Sequence, residues 1–141
     1  DLSTDQGWYI RLVDGNGNAV GEKVLGEGTV FNKTFYITTF TPNDDSSVPG
    51  GDGKLYALSY LTGAAVLDFN NDTNLERSST IGEGIPTKPV MLITKNSTRL
   101  LISVGNTNPY YASSTTGAGV KNINPLLPPI NFFYRFWQEA F

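Results

Sequence analysis

Between Asp68 and Glu76 the chain reads Asp-Phe-Asn-Asn-Asp-Thr-Asn-Leu-Glu, with an oxygen-bearing side chain at every second position: Asp68, Asn70, Asp72, Asn74 and Glu76. A Ca²⁺ ion takes about six to eight hard oxygen donors around a tightly turning backbone, and this alternation is how a short loop supplies them. Two positions depart from the commonest calcium loop. Its sixth residue is Thr73 rather than Gly, and its twelfth is Ser79 rather than a bidentate Glu. The competing explanation is a loop rich in Asn and Asp because those side chains cap their own backbone in Asx turns. Residue types leave both readings open.

Other chemistry has less to work with. The chain contains no histidine and no cysteine, which removes Cys/His zinc sites, disulfides, thiol nucleophiles and every triad built on imidazole. Serine, aspartate and glutamate remain, and a carboxylate pair is compatible with glycoside chemistry, but the separation that chemistry needs is invisible in sequence. The expectation is a protein that binds rather than catalyses. Asp14-Gly15-Asn16-Gly17-Asn18 is also oxygen-rich, and flanking strands explain it as a hairpin turn. Gly82-Glu83-Gly84 lacks the strand-then-helix context of a phosphate loop. Tyr110-Tyr111 offers a stacking platform for a sugar, or simply two loop tyrosines that pack.

These residues sit in a β-rich chain. Its 141 residues are 39% hydrophobic and only 16% charged, with 15 Gly and 8 Pro. Short strands punctuated by turns are expected, since no stretch carries apolar residues at helical spacing. Strands are expected over 7–12, 22–31, 33–41, 54–60, 64–69, 85–94 and 99–104. Turns or loops are expected at 14–18, 42–53, 61–63, 70–80 and 96–98, with a long polar, Pro-rich segment over 105–130. The closing run 132–141 holds six aromatic residues and reads as a buried final strand, or as a short helix with Phe133, Phe136, Trp137 and Ala140 on one side.

Net charge is −3 without a Lys/Arg cluster, so the basic footprint of a nucleic-acid binder is missing. No apolar run approaches the roughly 18–20 residues that span a bilayer as a helix. The chain opens on Asp1 without a basic and then apolar leader, which reads as a processed or truncated product.

The strongest pattern is internal. Leu55-Tyr56-Ala57-Leu58 followed by Leu61-Thr62-Gly63 is the punctuation of a four-stranded propeller blade of quinoprotein type, and a looser second cycle starts near Ile85. At about 40–50 residues per blade, the chain holds two blades, three at most: a first region over 7–69 and a second over 85–141. Closed propellers need about four to eight. The fold class expected is therefore all-β, a single domain or fragment over 1–141 that forms an incomplete β-propeller. A compact β-sandwich is the alternative.

Several segments together resemble the C-terminal propeller of the PilC/PilY family of type IV pilus tip-associated proteins: Gly7-Trp8-Tyr9-Ile10, Glu22-Lys23-Val24, Thr38-Thr39-Phe40-Thr41-Pro42, Pro49-Gly50-Gly51, and Leu55-Tyr56-Ala57-Leu58 with Thr62-Gly63. Gly84-Ile85-Pro86-Thr87-Lys88-Pro89-Val90, Leu100-Leu101-Ile102-Ser103-Val104-Gly105 and Tyr134-Arg135-Phe136-Trp137 extend the likeness along most of residues 7–137. Family members often carry cysteines before the Pro-Gly-Gly, where this chain has Asp44-Asp45-Ser46-Ser47-Val48. The family's large N-terminal adhesive region has no counterpart. The resemblance implies an exported, cell-surface or outer-membrane-associated module that supports pilus assembly and adhesion. Its expected partners are the rest of a larger propeller or a minor-pilin complex. It also lends weight to Ca²⁺ at residues 68–76, although the family's calcium loop lies earlier in the propeller. Two alternatives remain: a secreted subunit that completes its sheets with another chain or with copies of itself, and a calcium- or sugar-binding adhesion module.

Overall fold

The computed structural model describes residues 7–45, 47, 49–94, 98–105 and 119–123. Eight strands run through them: β1 (Lys23–Val24), β2 (Thr29–Phe31), β3 (Thr34–Pro42), β4 (Gly51–Ser59), β5 (Ser78–Glu83), β6 (Val90–Ile93), β7 (Thr98–Val104) and β8 (Gly119–Ile123). There is no helix among the described residues. All ladders are antiparallel, and the strands form two sheets that do not close into a barrel.

The first sheet is a meander in the order β1-β3-β4-β5, with β2 also on β3. Since β4 pairs with β3 from Thr34 to Pro42, both β1 and β2 must lie along the opposite edge. They are two halves of one broken strand, separated by Leu25-Gly26-Glu27-Gly28. Gly28 is needed there, because a Cβ would run into the Phe35 ring. The second sheet follows the order β6-β7-β8. Its first strand is preceded by Ile85–Thr87, which already run beside β7 through the Pro86–Val104 bridge and the Thr87 N–H donated to Ser103 O at 2.8 Å.

The register explains the core. β3 and β4 pair Tyr36 with Ala57 and Thr38 with Leu55, so these four share one face of the first sheet. Tyr36, Leu55 and Ala57 there meet Leu100, Ile102 and Val104, the alternate residues of β7, in a single buried cluster. Thr38 and Thr29 tie the sheets at their rims, donating to the carbonyls of Thr87 (3.1 Å) and Pro89 (2.7 Å). The opposite face carries Phe35, Ile37 and Leu58, with Thr39, Lys54 and Tyr56 beside them.

The central expectations hold: strands close to 33–41 and 54–60, and the turn at 61–63. Ser59 N–H donates to Ala64 O at 2.8 Å and Gly63 adopts φ 67°. Other expectations are corrected. Residues 7–12 form no strand. Trp8, Ile10 and Leu12 do alternate toward the sheet, but the segment lies across a face rather than along an edge, so it makes no ladder. The span 22–31 is broken as described. The turn at 14–18 closes through Asp14 N–H to Asn18 O at 2.9 Å, but no strands flank it. Residues 64–69 make only the single bridges Leu58–Ala65 and Leu67–Glu76. The stretch 70–80 ends in β5, and 105–130 contains β8. β6 is shorter than the 85–94 expected, and residues 51–53, placed in a loop, begin β4. Tyr110-Tyr111 and the aromatic run 132–141 lie outside the described residues, as does most of the turn at 96–98.

Candidate metal centre

The loop Asp68–Glu76 interrupts a strand. Ala65 bridges to Leu58 of β4, and two residues further along β4 Tyr56 pairs with Ser78. The intervening chain leaves the sheet and returns, closed at its base by Glu76 N–H donating to Leu67 O at 2.9 Å.

Inside the excursion the side chains organise the backbone. Asp68 is half-buried and gathers four backbone N–H groups. Its Oδ1 accepts from Asn70, Asn71 and Asp72 at 3.2, 2.6 and 3.2 Å, and its Oδ2 accepts from Thr73 at 2.8 Å. Asn70 Oδ1 accepts from Asp72 N–H at 3.0 Å, and Asp72 Oδ1 accepts from Asn74 N–H at 2.8 Å. The Asn70 amide donates to Asp72 Oδ2 at 3.1 Å. Glu76 reaches back to accept from Phe69 N–H at 2.9 Å. This curling requires left-handed backbone at Asn71 (φ 62°) and Thr73 (φ 74°). Asn tolerates that region, whereas a β-branched Thr is strained there. Thr73 thus adopts the conformation that Gly supplies at the sixth position of calcium loops.

The result brings one oxygen from each of Asp68, Asp72 and Glu76 within 4.8 Å of one another. Three carboxylates at that spacing repel each other, and none forms an ion pair with a described Lys or Arg; the described pairs are Lys54–Glu22 and Lys88–Glu27. Hydrogen bonds from Asn74, foremost its backbone N–H, hold the Asp72 carboxyl below its ordinary pKa, so it is charged at neutral pH. The donor set is all hard oxygen, the chemistry that suits Ca²⁺ and not a soft-ligand metal. Asp68, Asp72 and Glu76 would hold the ion. Asn70 and Asn74 ride on the same turn, Asn70 beside Asp72 and Asn74 through its backbone. Ser79, the nominal twelfth position, is in β5 opposite Leu55, and Glu76 closes the loop in its place.

A second polar cluster escaped the sequence reading. The Glu22 side chain is fully buried, yet it accepts three hydrogen bonds: Thr39 Oγ1 and the Tyr56 hydroxyl to Oε1 at 2.6 and 2.8 Å, and Lys54 Nζ to Oε2 at 2.8 Å. Burial raises the pKa of Glu22, but the bonds from Lys54, Thr39 and Tyr56 together outweigh it and leave the carboxyl below its ordinary value. Burial and the adjacent Glu22 push the Tyr56 phenol far upward. The partners of Glu22 come from 17, 32 and 34 residues away, and no local spacing announces them.

Beside this cluster, a groove of about 170 Å³ lies between Trp8, Ile10 and Leu12 on one side and Phe35, Ile37 and Leu58 on the other. Comparison with protein-family models, with curated proteins and with solved structures finds no match for this chain.

Proposed function

We propose that this chain is a non-enzymatic assembly and adhesion module. It forms two adjoining blades of a larger β-propeller, at work on a surface pilus as its resemblance to the PilC/PilY family implies. The observation that carries the reading is the first sheet, a meander that carries large apolar side chains on both faces. A two-layer sandwich buries one face of each sheet and leaves the other polar. A propeller blade is covered on both sides by its neighbours. The second sheet already takes one side, with residues 7–12 over part of the other. The test is made in the producing cell, by deleting the gene region that encodes this chain and following sheared surface fibres. The reading expects the chain in the fibre fraction and loss of fibres on deletion. Normal fibre number and adhesion after deletion would remove the pilus assignment.

A second reading is favoured by the three gathered carboxylates: Ca²⁺ binding at residues 68–76 that stiffens the excursion. Calcium would then raise the melting temperature, with about 2.7 kcal/mol of stabilisation at a hundredfold excess over Kd. Asp68→Ala with Asp72→Ala would abolish the rise. A double variant that responds like the parent would mark the loop as a plain Asx-turn loop.

A further inference from the structure

The outer face of the first sheet is covered by chain that forms no ladder with it. From Gly7 to Leu12 the residues alternate, with Trp8, Ile10 and Leu12 half-buried and Gly7, Tyr9 and Arg11 exposed. Ile10 and Leu12 meet the sheet through apolar contacts, and hydrogen bonds from residues 7–22 to the sheet are concentrated at the two ends. At the first, the Trp8 indole N–H donates to Tyr60 O at 3.0 Å. Its ring meets Phe35 edge-on at a centroid distance of 6.4 Å. It also lies over Gly63, where a Cβ would come within 2.7 Å of the indole. At the second end stands Glu22, buried among Thr39, Lys54 and Tyr56.

Between these anchors, hydrogen bonds among the described residues are internal to the turn Asp14–Asn18. Beneath the segment an open groove of about 170 Å³ remains, so part of its apolar side is not packed against the sheet. The joint between this segment and the sheet is therefore looser than the joint between the two sheets. Regions with few buried contacts and no shared ladder open at lower free energy than the core.

We infer that residues 7–21 are a strap that opens as a unit about Glu22, uncovering the apolar face formed by Phe35, Ile37 and Leu58 while the two sheets stay folded. The inference stands on this geometry and does not depend on the pilus reading.

The chain's lack of cysteine makes the test direct. Ile37→Cys places a thiol under the strap, and Ile102→Cys places the matched thiol between the sheets. Each is labelled with a thiol reagent over a series of low urea concentrations. The Ile37→Cys rate is expected to rise only shallowly with urea, in proportion to the limited surface that the strap uncovers, while the Ile102→Cys rate climbs steeply with it, as global unfolding requires. Adding Trp8→Ala should speed Ile37→Cys labelling roughly ten- to a hundredfold, the size of losing a half-buried aromatic anchor. If that variant fails to fold, Trp8→Phe keeps an aromatic ring, loses the bond to Tyr60 O and the smaller part of the packing, and should give a severalfold increase. Equal urea slopes at the two thiols, or an Ile37→Cys rate unmoved by either Trp8 change, would overturn the strap.

Discussion

Glu22→Gln is the substitution whose outcome follows most directly from the structure. Glutamine preserves the shape and keeps one oxygen to accept from Thr39 and Tyr56, but it sets an amide N–H₂ against the Lys54 ammonium and removes the charge. Lys54 keeps a quarter of its side chain in solvent, so water takes part of the lost contact, and the penalty falls short of the roughly 3–5 kcal/mol of breaking a fully buried pair. A hydrogen bond to a charged group contributes about 1.5–3 kcal/mol, which sets the expected loss at about 2 kcal/mol at pH 7. The pH dependence gives a second handle. The folded carboxyl holds its proton less tightly than its ordinary value of 4.5. Its contribution is therefore complete above that value and fades as pH falls through the lowered one. Urea midpoints for parent and variant from pH 7 down to pH 3 should show a gap that closes on acidification. Asp14, Glu27, Asp45 and Asp72 are also held below their ordinary values, but they are common to both proteins and cancel in the difference. A variant as stable as the parent at pH 7, or a gap unchanged down to pH 3, would refute the reasoning.

Thr73→Gly should relieve the left-handed strain at φ 74° and leave apo stability unchanged or raise it by up to about 1 kcal/mol, as the lost strain outweighs glycine's unfolded-state entropy; a thermal melt that falls by that amount would place the strain elsewhere. Gly63→Ala should cost about 1–3 kcal/mol, because the residue sits at φ 67° and its Cβ would press on Trp8; urea denaturation followed by tryptophan fluorescence in a Trp137→Phe background should show both the loss and a shifted native spectrum, and an unchanged midpoint would contradict the contact. The 15.3 kDa chain should self-associate at micromolar concentration, since β6 shows Val90, Leu92 and Ile93 to solvent and has no described strand on its outer side; sedimentation that gives a clean monomer at every concentration would count against an incomplete propeller.

The strands readable from sequence were those whose chemistry is local. Thr34–Phe40 is a β-branched and aromatic run, and Leu55–Leu58 ends at Thr62-Gly63, so β3, β4 and their turn follow from composition and punctuation. Residues 7–12 show what periodicity reports. The alternation of Trp8, Ile10 and Leu12 correctly marks the buried side, but alternation says nothing about hydrogen bonding, and the ladder does not exist. Ser78–Glu83 was hidden because an edge strand on a half-exposed face has no need of apolar residues. All five proposed loop ligands fall on one turn, and Asp68, Asp72 and Glu76 converge, because spacing within nine residues is a local matter. Glu22 belongs to the opposite case. Its environment is assembled by β3–β4 pairing, and only the folded register brings those partners together.

The way the 68–76 excursion is seated gives the chain a replaceable part. Its base is clamped by Leu67 and Glu76, and on either side the outer edge of β4 is already occupied, by Ala65 at Leu58 and by Arg77 O accepting from Ala57 N–H at 3.0 Å. Lengthening or rewriting the tip therefore leaves the register of β4 and β5 untouched, and loop-closure entropy grows only slowly with length, by about 0.6 kcal/mol per doubling. Variation among descendants of this sequence can accumulate there at small cost to folding, and a foreign peptide grafted between Phe69 and Leu75 would be displayed on a sheet edge that does not have to change to carry it.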